Sequence, residues 1–176
     1  NIKIFIMAKA LFASSTYVKK KSIISGSLDP DKLVQFIETA QDMHIQNYMG
    51  TALYKKVQLL IVDGTIGEVA NEKYRLLLDD YIKPMLAWYT QSEFIPFAAY
   101  TLSEGGLFKH RSENSDELQA SEIAGLAERA SQKASFYAER FVEFMCDNSN
   151  DYPEYNLGSQ DMSPDKDVDS FGWFLG

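Results

Sequence analysis

Cysteine and histidine are scarce in this sequence, which has one Cys and two His among 176 residues. Cys146 alone cannot build a disulfide framework or a thiolate zinc site within one chain, and a reducing compartment fits best. His44 and His110 are the only histidines that could serve as bases or ligands. We therefore expect no catalytic residue, no metal and no cofactor, and a chain that is not an enzyme.

Long apolar runs and a surplus of basic charge are also missing. Lys3 and Lys9 interrupt the apolar stretches near the start, so no run approaches the roughly 20 residues of a membrane span. The net charge is -8, whereas a protein that wraps nucleic acid shows a basic body or stripe. We expect no membrane partner, and with DNA only transient, non-specific contact.

The negative charge is concentrated at the C-terminal end. Residues 147–176 carry seven acids and one base and supply -6 of the total, so the body before them is nearly neutral. Pro153 and Pro164 disfavour helix, and like charges repel, which predicts an extended acidic arm. The arm ends in four apolar side chains, Phe171, Trp173, Phe174 and Leu175. These side chains are predicted to bind a partner, most effectively when one assembly presents many arms.

Two helices are predicted before residue 65. Asp29 caps a helix that has Pro30 at its first position and ends near Tyr48, before Gly50. Its apolar face follows the 3.6-residue period through Leu33, Ile37, Ala40 and His44. A second, shorter helix runs from position 51 to Asp63 and Gly64 and pairs with the first as a hairpin.

Two further helices complete the predicted bundle. The first begins at Asn71 and continues to about residue 100, with kinks or interruptions expected at Pro84 and Pro96. Because it is apolar on more than one face, we expect it at the centre. Residues 101–116 form a polar loop in which Leu107 and Phe108 could form a small β-hairpin. The last helix spans residues 121–147.

The predicted fold class is therefore all-α. It is an irregular bundle of about four main helices with a long loop and an extended C-terminal arm. We divide the chain into an N-terminal arm and loop (1–28), a helical domain (29–147) and the acidic arm (148–176). Met7 would make a natural translation start, in which case residues 1–6 are an upstream extension.

Candidate binding residues lie outside the main helices. Tyr152 and Tyr155 flank a rigid proline, a layout that suits docking on a neighbour, although folding back on their own bundle fits equally well. The basic tip of Lys109, His110 and Arg111 could contact phosphate in a DNA channel, or face solvent or protein. His44, on an apolar helix face, is expected to pack in the core or an interface.

Several residue runs carry a likeness to a known family. They are Ala40-Gln41-Asp42 with Ile45, Gly50-Thr51-Ala52-Leu53-Tyr54, Leu78-Asp79-Asp80-Tyr81-Ile82-Lys83-Pro84 with Ala87-Trp88, Phe136-Tyr137-Ala138-Glu139-Arg140, and Tyr152-Pro153-Glu154-Tyr155-Asn156. These runs resemble a family of helical head-tail connector (adaptor) proteins of tailed bacteriophages, including crAss-like phages and related prophages. The resemblance covers about residues 12–156.

This resemblance implies a structural virion protein. It implies a homo-oligomeric ring of about twelve copies beneath the portal protein, in contact with neighbouring tail or connector proteins and with genomic DNA in its channel. The location would be the head-tail junction of the virion, and the host cytoplasm during assembly. The ring could equally be a stopper or tail-completion ring. Two other functions stay open. The chain could be a host-cell helical adaptor that binds one partner through its aromatic tail. It could also be a small enzyme or ligand carrier with a pocket around Trp88, Tyr89 and His44.

Overall fold

The computed structural model describes residues 9–21, 30–98, 100–103, 106–109, 120–157 and 162–166. Within these ranges the chain is a helical bundle with one short two-stranded hairpin. The all-α class predicted from the sequence is therefore confirmed. The core is continuous and is formed by residues from nearly every helix, from Phe12 near the start to Tyr155 near the end.

The N-terminal segment belongs to the bundle. Helix α1 spans Ser15–Lys21, and Phe12, Ala13 and Val18 are buried in the common core. Residues 9–21 are therefore part of the helical domain, whereas the sequence pattern placed them in an N-terminal arm. Apolar burial at three positions is the physical reason, since each buried side chain contributes about 1 to 3 kcal/mol to folding.

The first long helical segment is interrupted at one glycine. Helix α2 (Pro30–Ala40) passes through a π-helical turn (Gln41–Ile45) into α3 (Gln46–Val62). Gly50 has φ 70° and ψ 157° and breaks the helical path inside α3. The sequence predicted that one helix ends at this glycine and that a second follows it, and the non-helical backbone of Gly50 confirms this prediction.

The central helical rod follows a 3₁₀ turn (Val69–Asn71). It comprises α4 (Glu72–Leu77), a π-helical turn (Leu78–Ile82) and α5 (Lys83–Ala98). As expected for a central helix, α5 packs against α1, α2 and α6.

Neither proline of this rod ends it. The π turn widens the backbone just before Pro84, where the ring would otherwise clash with the carbonyl four residues earlier. Pro96 lies in the last turn of α5, two residues before its end. The expected interruption at Pro84 is therefore a π turn, and at Pro96 there is none.

The hairpin and the last long helix follow. Strand β1 (Tyr100–Ser103) pairs antiparallel with β2 (Gly106–Lys109), in the register Tyr100 to Lys109 and Ser103 to Gly106. Helix α6 spans Ala120–Asn148, one residue longer at each end than predicted. Ala130, Ala134 and Ala138 are buried, and these small side chains let α6 approach α5 closely.

After α6 the chain turns back onto the bundle. A 3₁₀ turn (Ser149–Asp151) leads into the short helix α7 (Pro153–Asn156), which packs against α3. Residues 162–166, which we call the strap, have no regular secondary structure and lie across the break at Gly50. The start of the predicted extended arm is therefore bound to its own bundle.

Candidate functional site

The strap completes hydrogen bonds that the helix break leaves open. In an uninterrupted α-helix the backbone N–H of Thr51 would donate to the carbonyl of Asn47. Here the N–H of Thr51 donates to the carbonyl of Met162 at 2.9 Å, and the N–H of Asp165 donates to the carbonyl of Asn47 at 2.9 Å. The strap therefore inserts between two backbone groups that a regular helix would pair with each other.

Side chains add to this contact. Nδ2 of Asn47 donates to Oδ2 of Asp165 at 3.3 Å. Nζ of Lys166 lies 5.1 Å from the ring centroid of Tyr155, within the range of a cation–π contact. Pro164 packs directly on Gly50, which has no side chain to oppose it. The helix break at Gly50 therefore binds an extended segment that has a proline at its centre.

The two tyrosines predicted as partner-binding lie in the chain's own core. Tyr152 is 3% exposed, and its hydroxyl donates to the backbone carbonyl of Lys73 at 3.0 Å. Tyr155 is 1% exposed, and its ring lies 6.1 Å from that of Phe141. Of the two alternatives that the sequence left open, the structure shows folding back on the bundle. Neither ring is available as a partner surface in this arrangement.

The other predicted binding residues fall at or beyond the edges of the described ranges. Phe171, Trp173, Phe174 and Leu175 lie outside the described residues. Lys109 is the last residue of β2, and its backbone pairs with that of Tyr100. His110 and Arg111 also lie outside the described residues. The structure therefore tests neither partner binding by the end of the arm nor phosphate contact by the basic tip.

His44 packs on an aromatic ring, as expected from its apolar helix face. Its imidazole stacks on Tyr89, with ring centroids 4.0 Å apart and an angle of 4° between the planes. Its Nε2 lies 2.9 Å from Oε1 of Glu93 on α5. A groove of about 450 Å³ opens beside this pair, lined by the end of α5 and the first half of α6. Trp88 lines a separate groove on the same pair of helices.

A buried polar cluster ties the N-terminal segment to the helices. Gln41 accepts a hydrogen bond from the backbone N–H of Phe12 at 2.7 Å and donates to the carbonyl of Ala10 at 2.9 Å. Gln58 donates to the same carbonyl of Ala10 at 3.1 Å. The hydroxyl of Tyr54 receives both amides, and burial raises the pKa of Tyr54 to about 12. Sequence reasoning missed this cluster, because a buried glutamine carries no periodic signal.

The described residues lack two kinds of feature. In these ranges no group of three or more His, Cys, Asp or Glu side chains is arranged to hold a metal ion. Nor does any helix of the described part have the length and apolar character needed to cross a bilayer.

Comparison with known proteins identifies one family. No curated protein and no solved structure matches the chain significantly. One family matches residues 45–164, which is more than half of the chain and spans both the break at Gly50 and the strap up to Pro164. On this match the chain belongs to the family described as "Family of unknown function (DUF6712)".

Proposed function

We propose that this protein is a structural virion component, a subunit of an oligomeric ring that connects the capsid portal to the tail and forms part of the DNA channel. The likeness of its residue runs to phage connector proteins motivates the proposal. The observation that supports it is that six of the eight large exposed apolar side chains of the described residues lie in two groups at opposite ends of the central rod.

The first group surrounds the turn between α3 and α4. Its members are large apolar side chains that solvent reaches: Leu59, Val62, Val69 and Leu76, of which Val69 is 89% exposed. The turn brings the end of α3 and the start of α4 to the same end of the bundle. Single exposed apolar residues are common on protein surfaces, whereas four of them near one turn are a candidate interaction surface.

The second group lies at the other end of the rod. Phe97, in the last turn of α5, is 60% exposed, and Met43, in the π turn beside His44, is 59% exposed. His44 reaches Glu93 of α5, so Met43 belongs to the same end of the bundle as Phe97. With a rise of about 1.5 Å per residue, Leu76 and Phe97 are about 30 Å apart along the rod.

Two different apolar surfaces on one chain suit a ring. Rings form through heterologous contacts, in which one surface of a subunit meets a different surface of the next. A closed two-fold dimer needs only one self-complementary surface, so it leaves the second group unexplained. The separation of the two groups along the rod lets each subunit contact a neighbour on both sides.

The charge of the chain is compatible with a DNA channel. Firm binding to DNA depends on many Lys and Arg contacts with phosphate, and the net charge of this chain is -8. DNA would therefore slide past such a ring, and the basic tip of Lys109, His110 and Arg111 would give only brief contacts. Residues 167–176, which follow the strap, would extend to neighbouring proteins.

Electron cryo-microscopy of intact particles tests the proposal. The helical bundle should fit ring-shaped density between portal and tail, with each copy contacting its neighbours through both apolar groups. Absence of the chain from that junction would refute the proposal. If instead the isolated aromatic tail captures a single soluble host protein with micromolar or better affinity, the chain is a host-cell adaptor.

A further inference from the structure

One groove between α5 and α6 combines aromatic surface with positive charge. It has a volume of about 510 Å³, within the range of sites that hold small ligands or one or two aromatic side chains. Phe136 at its edge is 55% exposed. We call it the basic groove, and it is lined by Trp88, Arg129, Gln132, Lys133, Phe136 and Tyr137.

The positive charges of the basic groove are available to a ligand. Nζ of Lys133 lies 4.3 Å from the ring centroid of Trp88. Within the described ranges, no carboxylate comes within 4.0 Å of Arg129 or Lys133. A ligand that carries both acids and aromatic rings would satisfy the cations and cover the exposed rings.

Such a ligand is encoded at the end of the same chain. Residues 167–176 contain Asp167 and Asp169, no basic residue, and then Phe171, Trp173, Phe174 and Leu175. The strap ends just before this segment, at Lys166, whose Nζ lies over the ring of Tyr155. Ten residues reach at most about 35 Å when extended, so the segment can leave its own bundle and contact an adjacent subunit.

We propose that residues 167–176 of one copy bind in the basic groove of a neighbouring copy. The aromatic side chains cover Trp88 and Phe136, and the two aspartates lie near Arg129 and Lys133. This inference rests on the proposed ring, because tail and groove are two different surfaces of one chain, as a heterologous contact requires. Around a ring, every groove receives the tail of the preceding subunit.

Photo-crosslinking of the full-length chain tests this contact. Position 173 carries p-benzoylphenylalanine instead of Trp173, and equal amounts of isotopically heavy and light protein are mixed and allowed to assemble. After illumination, mass spectrometry identifies the peptides joined to position 173. We expect crosslinks to residues 129–140, with heavy tails joined to light grooves as often as to heavy grooves.

Matched variants test the chemistry of the contact. Lys133→Glu combined with Phe136→Ala should lower the crosslink yield about tenfold, the effect of losing roughly 1.4 kcal/mol of binding. Lys55→Glu, which reverses an exposed lysine on α3, should leave the yield unchanged. Asp167→Lys with Asp169→Lys should restore crosslinking to the single variant Lys133→Glu, because the charges are again opposite.

Two results would overturn the inference. Crosslinks that join only chains of the same isotope would show that the tail binds its own bundle, and crosslinks to other surfaces would show that the basic groove is not its site. The mass of the unmodified assembly separates this failure from that of the ring. If the chain still forms a closed oligomer, only the tail-to-groove contact is wrong.

Discussion

Pro164 occupies the space that a side chain at position 50 would need. A Cβ built on Gly50 would lie 2.6 Å from Cδ of Pro164 and 2.9 Å from its nitrogen, distances too short for any real contact. The backbone of Gly50 has φ 70° and ψ 157°, a conformation that is essentially restricted to glycine. Gly50 and Pro164, far apart in sequence, therefore form one structural unit.

Gly50→Ala should be strongly destabilising. The backbone strain and the collision with Pro164 together predict a loss of about 2 to 4 kcal/mol in the free energy of unfolding, measured by urea denaturation. Gly64→Ala is the matched control, since Gly64 also has φ 70° but has no atom within 4 Å of its added Cβ. It should lose only about 1 to 2 kcal/mol. Equal losses at the two sites would contradict the role of the strap.

The effects of Gly50→Ala and Pro164→Ala should not be additive. Removal of the proline ring gives the new methyl group more room, so the double variant should be more stable than the sum of the single losses predicts. We expect a coupling energy of at least about 0.5 kcal/mol in a double-mutant cycle. Strict additivity would mean that the two residues do not touch in solution.

Tyr155→Phe and Tyr54→Phe should have opposite consequences. Among the described residues the hydroxyl of Tyr155 has no hydrogen-bond partner, so its removal should leave the free energy of unfolding unchanged or raise it by about 1 kcal/mol. The hydroxyl of Tyr54 bonds Gln41, Gln58 and Asp42, so its removal should cost about 1 to 3 kcal/mol. Urea midpoints at neutral pH compare the two, and a large loss in Tyr155→Phe would reveal a missing partner.

Stability should fall in alkaline solution. Burial raises the pKa of Tyr54, Tyr152 and Tyr155 to about 12, from an ordinary value of 10.0. The folded state therefore holds these protons more tightly than the unfolded state. The stability that this difference contributes is fully present below pH 10 and is lost as the pH rises towards 12. Each tyrosine accounts for up to about 2 to 3 kcal/mol. Urea denaturation across this range measures the loss, which should be smaller in Tyr54→Phe, and a flat profile would contradict the burial.

Trp173→Ala combined with Phe174→Ala should weaken incorporation of the chain into particles without unfolding the bundle. In the proposed docking, the aromatic end of the arm supplies the apolar surface that contacts the partner. Immunoblots of purified particles measure incorporation, and the urea midpoint of the double variant provides the control. Particles with a normal content of the variant chain would refute docking by the arm.

Local sequence patterns predict the long elements of this fold well. Signals contained within a few residues predict the start of α2 at Pro30, the break at Gly50 and the limits of α6. The hairpin between α5 and α6 also follows from a short β-capable run. These elements depend on propensity and periodicity, which are properties of neighbouring residues.

The contacts between distant segments could not be predicted in this way. The strap bonds Asn47 and Thr51 through backbone groups, which have no side-chain signature in the sequence. The N-terminal segment joins the core through Gln41 and Gln58, and a glutamine more often marks a solvated face. From the sequence, the rings of Tyr152 and Tyr155 suit a neighbour as well as their own bundle, and only the path of α7 decides between the two.

Native mass spectrometry of the full-length chain, alone and with the portal protein, tests the central claim most directly. We propose that this bundle carries two apolar surfaces and a docking tail in order to join copies of itself into a closed ring. The account predicts one closed oligomer of defined size, about twelve copies by the connector likeness, that forms alone or on the portal. A chain that stays monomeric at every concentration and does not join the portal would contradict it.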